Sequence, residues 1–578
     1  MRGERRVWKA AALVTALVLA TTVPFLGKPV HIDDVYFVEV ARGILEHPLR
    51  PLGGVAALED IDYRVFASGG RCPSTFASMS HPPLVPYWLA ASAWAAGGFS
   101  EMPLHLAFLP FAVGAAWAML HLSRRFSDHP VAAAVLTVGS PIFVLASQSL
   151  STDMAALAFT LGSLSLLVEG IDRDRRWLVW LAGALSGLGA VTRYSTLAVL
   201  PLLLLYGLLQ RKLRETLPAT AAFVMVFGAW CAQNLAFHGQ LHIVASSRHY
   251  QQFFAGRALD LTAVVRNALA DLSAIGATAF LAAAFLLLIG GRRRWLTLLA
   301  AATAAAAVFV LRPPGIERLD TYSGWEAAAV CAAFALGVSV VVEGLGADPA
   351  APGSDPSTAN EERRDRMFLL AWLGLTLAGT LLLLPFGTAR YMLPALPPLW
   401  LSVVRRAERR RLAAPERWAF AGAVVQSVSL AFVLSLADAE SAARYREVAL
   451  ELREDQPAKT LWFVGEWGFR HYMGLVGGRY LSSADVAPQP GDLIVRPWAA
   501  GMHEMAASVR QRTVLIQDIP LGSRWPVRLM SFEAKAGYYS HHWGFLPWTV
   551  SRAPLERIQI YEVRVPAPPR EKVTCASS

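Results

Sequence analysis

The chain has 578 residues, of which 54% are hydrophobic and only 17% are charged, and its mean hydropathy is +0.40. A soluble domain carries about 25% charged residues, so the composition excludes an ordinary soluble protein and indicates a membrane protein. The formal net charge is +10. In a membrane protein such an excess belongs first to cytoplasmic loops, and no alternation of basic and aromatic residues suggests a nucleic-acid surface.

The first apolar segment, residues 10–26, follows a basic start and is predicted to be a retained signal-anchor with a cytoplasmic N-terminus. Residues 27–101 then form a long external loop with juxtamembrane helices. Asp33 and Asp34 stand at its beginning, ahead of an amphipathic run from Val35 to His47. Either carboxylate could cap that helix, or one of them could be a catalytic carboxylate at the water–lipid boundary; the local pattern leaves both readings open.

Apolar segments of bilayer length continue along the chain, and with the first they make about thirteen. Arginine clusters fall in every second loop, which predicts the cytoplasmic side. The run from Leu84 to Phe99 is predicted to stay external, because counting it as a span would place Arg124 and Arg125 outside; a true span is the alternative. The other twelve segments are 102–122, 131–149, 153–169, 177–192, 196–210, 216–237, 272–290, 295–311, 324–343, 367–385, 391–404 and 417–437.

The chain divides into a transmembrane part, residues 1–438, and an external domain, residues 439–578. Within the first, residues 346–366 are rich in Pro, Ala, Ser and charge and are predicted to be a disordered cytoplasmic linker. Short strand-like runs after position 439 predict a small α/β domain. These runs are 458–464, 492–495, 513–517, 527–532 and 558–565, with helices expected at 466–474 and 503–512. Adjacent His541 and His542 are read as packing or surface residues rather than metal ligands.

Ionisable residues recur where predicted helices meet the external face. His81 precedes two prolines, Asp153 opens the fourth span, Arg193 lies in an external turn, and Arg390 with Tyr391 opens the twelfth span. Each has an ordinary explanation as a turn residue, a helix cap or an interfacial cation. Because ionisable groups at membrane depth are costly, a functional role is the default hypothesis. Together they would suit a negatively charged lipid headgroup beside a general base.

Four of these features resemble a known group. The Asp33-Asp34 pair, His81-Pro82-Pro83-Leu84, the aspartate that opens a later helix, and the run from Arg390 to Pro398 are similar to the bacterial type of glycosyltransferase family 39. That group contains protein O-mannosyltransferases and lipid A aminoarabinose transferases with the GT-C fold. The resemblance covers about residues 1–435. The family's usual acidic pair is Asp-Glu, so the Asp-Asp of this chain leaves open which carboxylate acts.

The resemblance implies transfer of a hexosyl or pentosyl group from a polyprenyl-phosphate donor to a lipid, glycan or protein acceptor outside a bacterial inner membrane. A positioned carboxylate would take the acceptor's proton in a single, inverting displacement, with Asp33 as the first candidate and Asp34 as the second. The leaving phosphate needs cations, for which Arg390, Arg193 and His81 are candidates, and Tyr391 belongs to the same site.

Asp153 would orient the acceptor or a cation. A divalent cation is compatible with these acids, but no ligand spacing requires a metal.

A transporter or a flippase for lipid-linked sugars is the alternative class. Transporters of this size often show repeated halves and interrupted helices near the bilayer midplane. We find no repeated halves, and the informative charges are predicted to lie at one face. The expected fold is therefore an α-helical polytopic membrane protein of the GT-C type with a small external C-terminal α/β domain.

Overall fold

A computed structural model describes residues 2–52, 75–253, 260–289, 292–346, 356–409, 414–481, 488–500, 505 and 507–566. Helices fill most of these ranges up to residue 455, and short strands follow. The helices before residue 255 are α1 (Arg2–Thr22), α2 (Asp34–Glu46), α3 (Thr75–Ser78), α4 (Leu84–Ala96), α5 (Glu101–Phe126), α6 (Pro130–Val138), α7 (Pro141–Ser147), α8 (Thr152–Asp172), α9 (Arg176–Thr192), α10 (Val199–Leu209), α11 (Leu217–His238) and α12 (His242–Phe253).

The later helices continue the same architecture and end with two that accompany the strands. They are α13 (Leu261–Thr278), α14 (Phe280–Ile289), α15 (Arg292–Leu311), α16 (Gly324–Leu345), α17 (Pro356–Ala378), α18 (Leu396–Arg409), α19 (Ala414–Asp455), α20 (Trp467–Leu475) and α21 (Ala507–Arg510). Short tighter turns connect several of them, and the one at Ala389–Ala395 carries two of the predicted site residues.

Each of the thirteen predicted spans overlaps one or more helices, although the span predicted at 272–290 begins within α13 and crosses the bend between α13 and α14. Among the described residues, eight helices are long and apolar enough to cross a membrane, and the pairs α6–α7 and α13–α14, bent by 61° and 86°, would raise the number to ten. The segments at 196–210, 177–192 and 391–404 correspond to shorter helices. The predicted class, a helical polytopic membrane protein with a small C-terminal α/β region, is confirmed.

The run predicted to stay external forms α4, which has 13 residues. A bilayer span needs about 20 residues, so α4 is short for a crossing. Leu89 and Ala90 of α4 pack in one apolar cluster with Phe37 and Ala41 of α2. That this segment remains on the external side stays a prediction.

Two glycines allow α13 and α16 to approach closely. A Cβ on Gly276 would lie 1.8 Å from the Ala333 carbonyl oxygen, and a Cβ on Gly337 would lie 1.9 Å from that of Leu272. Small residues at helix contacts let membrane helices pack backbone to backbone. A Gly276→Ala change would force these two helices apart.

One end of the helical part carries a cluster of charges that we call the Arg125 cluster: Arg125, Asp172, Glu361, Asp365 and Arg405. It corrects the prediction for residues 346–366. Residues 347–355 lie outside the described part of the chain, but α17 is already helical from Pro356. Composition alone indicated disorder there; the acids of this stretch instead find arginine partners on α5 and α18, which stabilises the helix.

The strands form one five-stranded sheet and two small pairs. The five-stranded sheet has the order β2-β1-β3-β9-β4, with β1 parallel to β2 and β3, and β9 antiparallel to β3 and β4. Register places Trp462 beside Ile494 and Ile494 beside Tyr561. The strands are β1 (Leu461–Phe463), β2 (Arg479–Tyr480), β3 (Leu493–Pro497), β4 (Thr513–Leu521), β5 (Val527–Arg528), β6 (Met530–Ser531), β7 (Ala536–Gly537), β8 (Thr549–Val550) and β9 (Glu556–Val563).

Each predicted strand run overlaps a strand, and the helix predicted at 466–474 is α20. The helix predicted at 503–512 is shorter, since only α21 is helical there; residues 501–504 and 506 lie outside the described ranges.

The long helix α19 joins the two parts. It has 42 residues and runs without interruption past position 438, where a domain boundary was predicted. Its last turns supply Tyr445, Val448 and Leu452 to the core of the sheet, next to Phe463 and Ile560. The sheet therefore packs directly on an extension of the last long apolar helix, which fixes it relative to the helical part.

Candidate functional site

Asp33 lies at the N-terminal boundary of α2, directly after Ile32, whose φ of +47° is unusual for a β-branched residue. The Asp33 carboxylate does not cap the helix. Its Oδ2 lies 2.6 Å from Nη2 of Arg390, and the Asp33 side chain remains 30% exposed. Asp33 is thus an ion-paired carboxylate that solvent can still reach.

Asp34 points to a different neighbour. Its Oδ1 accepts hydrogen bonds from the Ser149 hydroxyl at 2.7 Å and from the Leu150 backbone N–H at 3.0 Å, and the residue is only 2% exposed. Burial raises the pKa of the Asp34 carboxyl to about 7. Asp34 therefore ties the start of α2 to the turn before α8, and the two adjacent carboxylates have separate environments.

Asp153 lies in the first turn of α8. Ser151 caps this helix, accepting a 3.5 Å hydrogen bond from the Asp153 backbone N–H, while its hydroxyl donates to Oδ2 of Asp153 at 3.1 Å. The Asp153 carboxylate forms an ion pair with Arg193, and its Oδ2 lies 4.0 Å from Nη1 of Arg390. Because Ser151 provides the cap, the side chain of Asp153 is available for the two arginines.

The two arginines flank one aromatic ring. The guanidinium carbons of Arg193 and Arg390 lie 5.4 Å and 5.7 Å from the ring centroid of Tyr391, within the range of cation–π attraction. Arg193 follows the end of α9, while Arg390 and Tyr391 belong to the turn Ala389–Ala395. We call Asp33, Asp153, Arg193, Arg390 and Tyr391 the Asp33 cluster.

Contacts from the sheet-bearing part hold the turn that carries Arg390. The hydroxyl of Thr388 donates to the carbonyl oxygen of Tyr538 at 2.7 Å, and the Ala389 N–H donates to the same oxygen at 3.1 Å. The Thr388 backbone N–H donates to Oδ1 of Asp271 at 2.8 Å. The position of Arg390 thus depends on residues about 150 positions later in the chain.

His81 lies near the cluster, where its half-buried ring stacks on Phe37 with the centroids 6.2 Å apart. Burial, followed by the positive charge of Arg193, lowers the pKa of His81 to about 3. The imidazole is therefore neutral near pH 7. His81 could offer a hydrogen bond to a phosphate but no positive charge. The role predicted for it, as a cation that binds the leaving phosphate, is therefore reduced to that of a neutral hydrogen-bond donor.

A second polar group, missed in the sequence, lies behind Asp33. Nζ of Lys28 lies 2.5 Å from Oδ2 of Asp438, Nε2 of His31 lies 3.5 Å from its Oδ1, and the Tyr539 hydroxyl donates to the same carboxylate at 2.9 and 2.8 Å. Lys28 and Asp438 are buried. An ionisable residue at the end of an apolar segment signals a nearby partner, and this rule would have singled out both.

The sequence is compatible with a divalent cation at the acidic residues but does not require one. Among the described residues, no group of three or more His, Cys, Asp or Glu side chains is placed to hold a metal ion. In the Asp33 cluster each carboxylate instead faces an arginine.

Residues 80–232, which include His81, Asp153 and Arg193, match the family described as dolichyl-phosphate-mannose-protein mannosyltransferase. Over this range the chain resembles membrane mannosyltransferases. The predicted resemblance to this group of membrane glycosyltransferases is therefore confirmed. A comparison with curated proteins gives no match.

The fold is similar to solved structures of three enzymes. An oligosaccharyltransferase of Archaeoglobus fulgidus, tethered with an acceptor peptide, is 12% identical with a TM-score of 0.46; the alignment covers 82% of this chain and 63% of the archaeal one, so this chain spans less than two thirds of its length. ArnT from Cupriavidus metallidurans, bound to undecaprenyl phosphate, is 14% identical with a TM-score of 0.41 and coverages of 98% and 99%. The arabinofuranosyltransferase AftD from Mycobacteria is 14% identical with a TM-score of 0.35 and coverages of 97% and 40%.

Proposed function

We propose that this protein is an inverting glycosyltransferase that moves a sugar from a polyprenyl-phosphate donor to an acceptor at the membrane face bearing the Asp33 cluster. The observation that carries the proposal is the 2.6 Å pair between a partly exposed carboxylate, Asp33, and Arg390. A general base and a phosphate-binding cation stand side by side, as this reaction requires. The family match over residues 80–232 supports the same chemistry.

The arginines form the phosphate-binding part of the site. Arginine can bind a phosphate through two parallel N–H groups, and a charge-assisted bond of this kind is stronger than a neutral one. Nε of Arg390 is buried and has no hydrogen-bond partner among the described residues. A lipid phosphate arriving here would compete with Asp33 for Arg390, and Arg193 would remain paired to Asp153 beside it.

Competition between the lipid phosphate and Asp33 for Arg390 would free Asp33 to act as the general base. Before phosphate binds, the Asp33 carboxylate is engaged in its ion pair with Arg390. Once phosphate occupies Arg390, Asp33 is released and can accept the proton of an acceptor hydroxyl. Asp34 is less suited to this role, because it is 2% exposed and its Oδ1 already accepts two hydrogen bonds.

The displacement then proceeds in one step. The acceptor oxygen forms a bond to the anomeric carbon as the bond from that carbon to the phosphate oxygen breaks. The acceptor's proton passes to Asp33, and the charge that develops on the lipid phosphate is stabilised by Arg390. Attack opposite the leaving group inverts the anomeric configuration.

The proposed location is a bacterial inner membrane with the N-terminus in the cytoplasm and the sheet on the external side. Support comes from the Arg125 cluster, where Arg125, Arg405 and the basic end of α5 lie at one end of the helical part. Basic residues favour the cytoplasmic side, so the Asp33 cluster is assigned to the outer face.

Transfer can be tested with the full chain reconstituted in lipid nanodiscs. The donors would be undecaprenyl-phosphate hexoses and pentoses with a radioactive sugar, and the acceptors would come from solubilised cell-envelope material. We expect label to leave the carrier and enter a second product only when the protein is present. In parallel proteoliposomes, movement of carrier between leaflets without any new glycosidic bond would contradict the proposal and favour a flippase.

A further inference from the structure

The loop that follows β7 contacts two separate segments of the Asp33 cluster. We call its residues 538–541 the bridging loop. Its start is fixed within the sheet-bearing part, because the Tyr538 N–H donates to the Leu529 carbonyl oxygen at 2.8 Å. A Cβ on Gly537 would lie 2.1 Å from the Gly544 carbonyl oxygen, so the chain on either side of the loop can come this close only with glycine at position 537.

On one side the bridging loop binds the turn that carries Arg390. Gly387 is paired twice with His541: the His541 N–H donates to the Gly387 carbonyl oxygen at 3.0 Å, and the Gly387 N–H donates to Nδ1 of His541 at 3.2 Å. The Thr388 hydroxyl and the next backbone N–H donate to the Tyr538 carbonyl oxygen at 2.7 and 3.1 Å. The three residues before Arg390 are therefore held by the loop.

On the other side the bridging loop holds the turn that contains Asp33. The Tyr539 hydroxyl donates to the Asp438 carboxylate, whose Oδ1 lies 3.5 Å from Nε2 of His31. The rings of Tyr539 and His31 also meet edge to face, with their centroids 5.7 Å apart. The His31 carbonyl oxygen accepts the Asp34 N–H at 3.1 Å, which closes the turn around Asp33. Tyr539 is thus connected to this turn through His31 and Asp438.

The residue directly before Asp33 depends on the same region. Ile32 has a φ of +47°, which is a rare conformation for a β-branched residue and persists only where the surrounding structure imposes it. Ile32 is buried in an apolar cluster with Met530 and Trp543, which precede and follow the bridging loop, and Tyr539 packs against this cluster. The sheet-bearing part therefore also fixes the backbone next to the candidate base.

Adjacent residues of one loop thus hold the two members of the ion pair. Tyr538 holds the Arg390 turn and Tyr539 the Asp33 turn, and consecutive Cα atoms are only about 3.8 Å apart. The position of one turn relative to the other is therefore set by the loop. A general base must lie within hydrogen-bond reach of the proton it takes, and a misplacement of about 1 Å can lower a rate about 100-fold.

We infer that the bridging loop is a positioning element for the transfer reaction. Tyr539 sets the place of Asp33, and the carbonyl group of Tyr538, through Thr388, sets the place of Arg390. The sheet-bearing part therefore completes the geometry of the site by holding the reacting groups rather than by touching the substrate. This inference rests on the proposed glycosyltransferase function and adds Tyr539 and Thr388 to it as positioning residues.

Three variants that each lose one hydroxyl group test the inference in the full chain. Tyr539→Phe removes the hydroxyl that Asp438 accepts, and Thr388→Val removes the hydroxyl that donates to the loop. Tyr561→Phe is the matched control. Tyr561 is a buried tyrosine of β9 whose hydroxyl donates to Gln559 at 3.0 Å, and its ring lies on the sheet face that does not pack on α19.

The kinetic test uses nanodiscs and an undecaprenyl-phosphate sugar donor. We would refer kcat to the number of carrier-binding sites in the same preparation, so that unfolded protein does not count. Tyr539→Phe should lower kcat about 10-fold and leave the donor KM unchanged, because only the base is displaced. Thr388→Val should raise the donor KM several-fold with little change in kcat. Tyr561→Phe should match the wild type in both.

Hydrogen–deuterium exchange of the same nanodiscs tests the positioning contacts without transfer. Tyr539→Phe should speed exchange in residues 28–36, Thr388→Val should speed it in residues 386–392, and Tyr561→Phe should change neither segment. Wild-type exchange in both variants, or a parallel change of kcat and KM in either, would overturn the inference. Absence of transfer by the wild-type protein would instead count against the proposed function, and the exchange data would still decide whether the loop holds the two turns.

Discussion

The two charged clusters at opposite ends of the helical part both pair arginines with carboxylates, but they differ in how their charges are balanced. In the Arg125 cluster, Arg125 contacts three carboxylates, those of Asp172 at 2.8 Å, Glu361 at 3.1 Å and Asp365 at 2.8 Å. In the Asp33 cluster, Arg390 has one carboxylate at 2.6 Å and a second only at 4.0 Å. An arginine surrounded by acids has no capacity left for a ligand anion.

The comparison indicates what distinguishes a binding site from a structural ion-pair cluster. In a binding site an arginine is not saturated by protein carboxylates and can still bind a ligand anion. The Arg125 cluster joins the ends of α5, α8, α17 and α18, and its central acid, Asp365, is 6% exposed. Asp33 is 30% exposed and joins only α2 to the Arg390 turn. We therefore expect substitutions in the first cluster to change stability and substitutions in the second to change transfer.

The largest effect on transfer is expected for Asp33→Asn. Asparagine keeps the size of the side chain and removes its basicity, so transfer should fall by a factor on the order of 100 or more. The thermal unfolding midpoint should change little, because the Asp33 side chain makes no capping hydrogen bond and its ion pair with Arg390 is partly exposed, a kind of pair that contributes about 0–1 kcal/mol. Initial rates with a labelled donor, and unfolding in the same detergent, test both statements. Wild-type transfer by a folded Asp33→Asn protein would show that Asp33 is not the base.

Arg390→Lys should have the next largest effect. Lysine keeps the charge but cannot bind phosphate through two parallel N–H groups, so the dissociation constant for undecaprenyl phosphate should rise about 10-fold. Arg405→Lys in the opposite cluster is the matched control, and it should leave carrier affinity unchanged. If the two variants bind the carrier equally well, the contrast between the clusters is wrong.

Asp34→Asn should change transfer by less than about threefold, since Asn Oδ1 can accept the same two hydrogen bonds. The substitution should instead change how the free energy of unfolding depends on pH. Because burial raises the pKa of Asp34 from 3.8 to about 7, the folded state holds a proton that the unfolded state has lost between about pH 4 and pH 7. The free energy of unfolding of the wild type should therefore fall as pH rises through that window. Unfolding midpoints at several pH values should show this slope for the wild type and a smaller one for Asp34→Asn; identical slopes would assign the titration to another group.

Asp365→Asn should leave transfer unchanged and lower stability. The side chain is almost fully buried between Arg125 and Arg405, and loss of its charge leaves their guanidinium groups less well compensated. We expect a loss of about 2 kcal/mol in the free energy of unfolding, in the range for damage to a buried charge network. Thermal unfolding and donor saturation curves for the same preparation check both parts. A specific rise in donor KM without a stability change would contradict the structural role.

Much of the fold follows from patterns that act locally. Apolar length and alternating arginine clusters predict the spans, and short β-branched runs such as Leu493 to Val495 predict strands. The linker prediction at 346–366 was wrong from Pro356 onward, because composition takes no account of a partner such as Arg125 on another helix. Such pairing depends on tertiary contacts across about 240 residues.

The sequence predicts which residues belong to the candidate site, but it does not predict which of them form pairs. Asp153, Arg193 and Arg390 each stand at a helix end on the same predicted side, so their proximity could be anticipated. Which cation meets which carboxylate depends on helix rotation and packing, and only the structure separates Asp33 from Asp34. The burial of Lys28 against Asp438 could have been suspected from their positions next to apolar segments.

The most direct test of the central claim is the affinity of Asp33→Asn for undecaprenyl phosphate. If Asp33 occupies Arg390 until the carrier phosphate displaces it, removal of the Asp33 charge should leave Arg390 open. The variant should then bind the carrier several-fold more tightly than the wild type while its transfer rate collapses, a combination that simple damage to the site does not produce. Unchanged or weaker carrier binding in a folded Asp33→Asn protein would contradict the claim that Asp33 and the lipid phosphate compete for the same arginine.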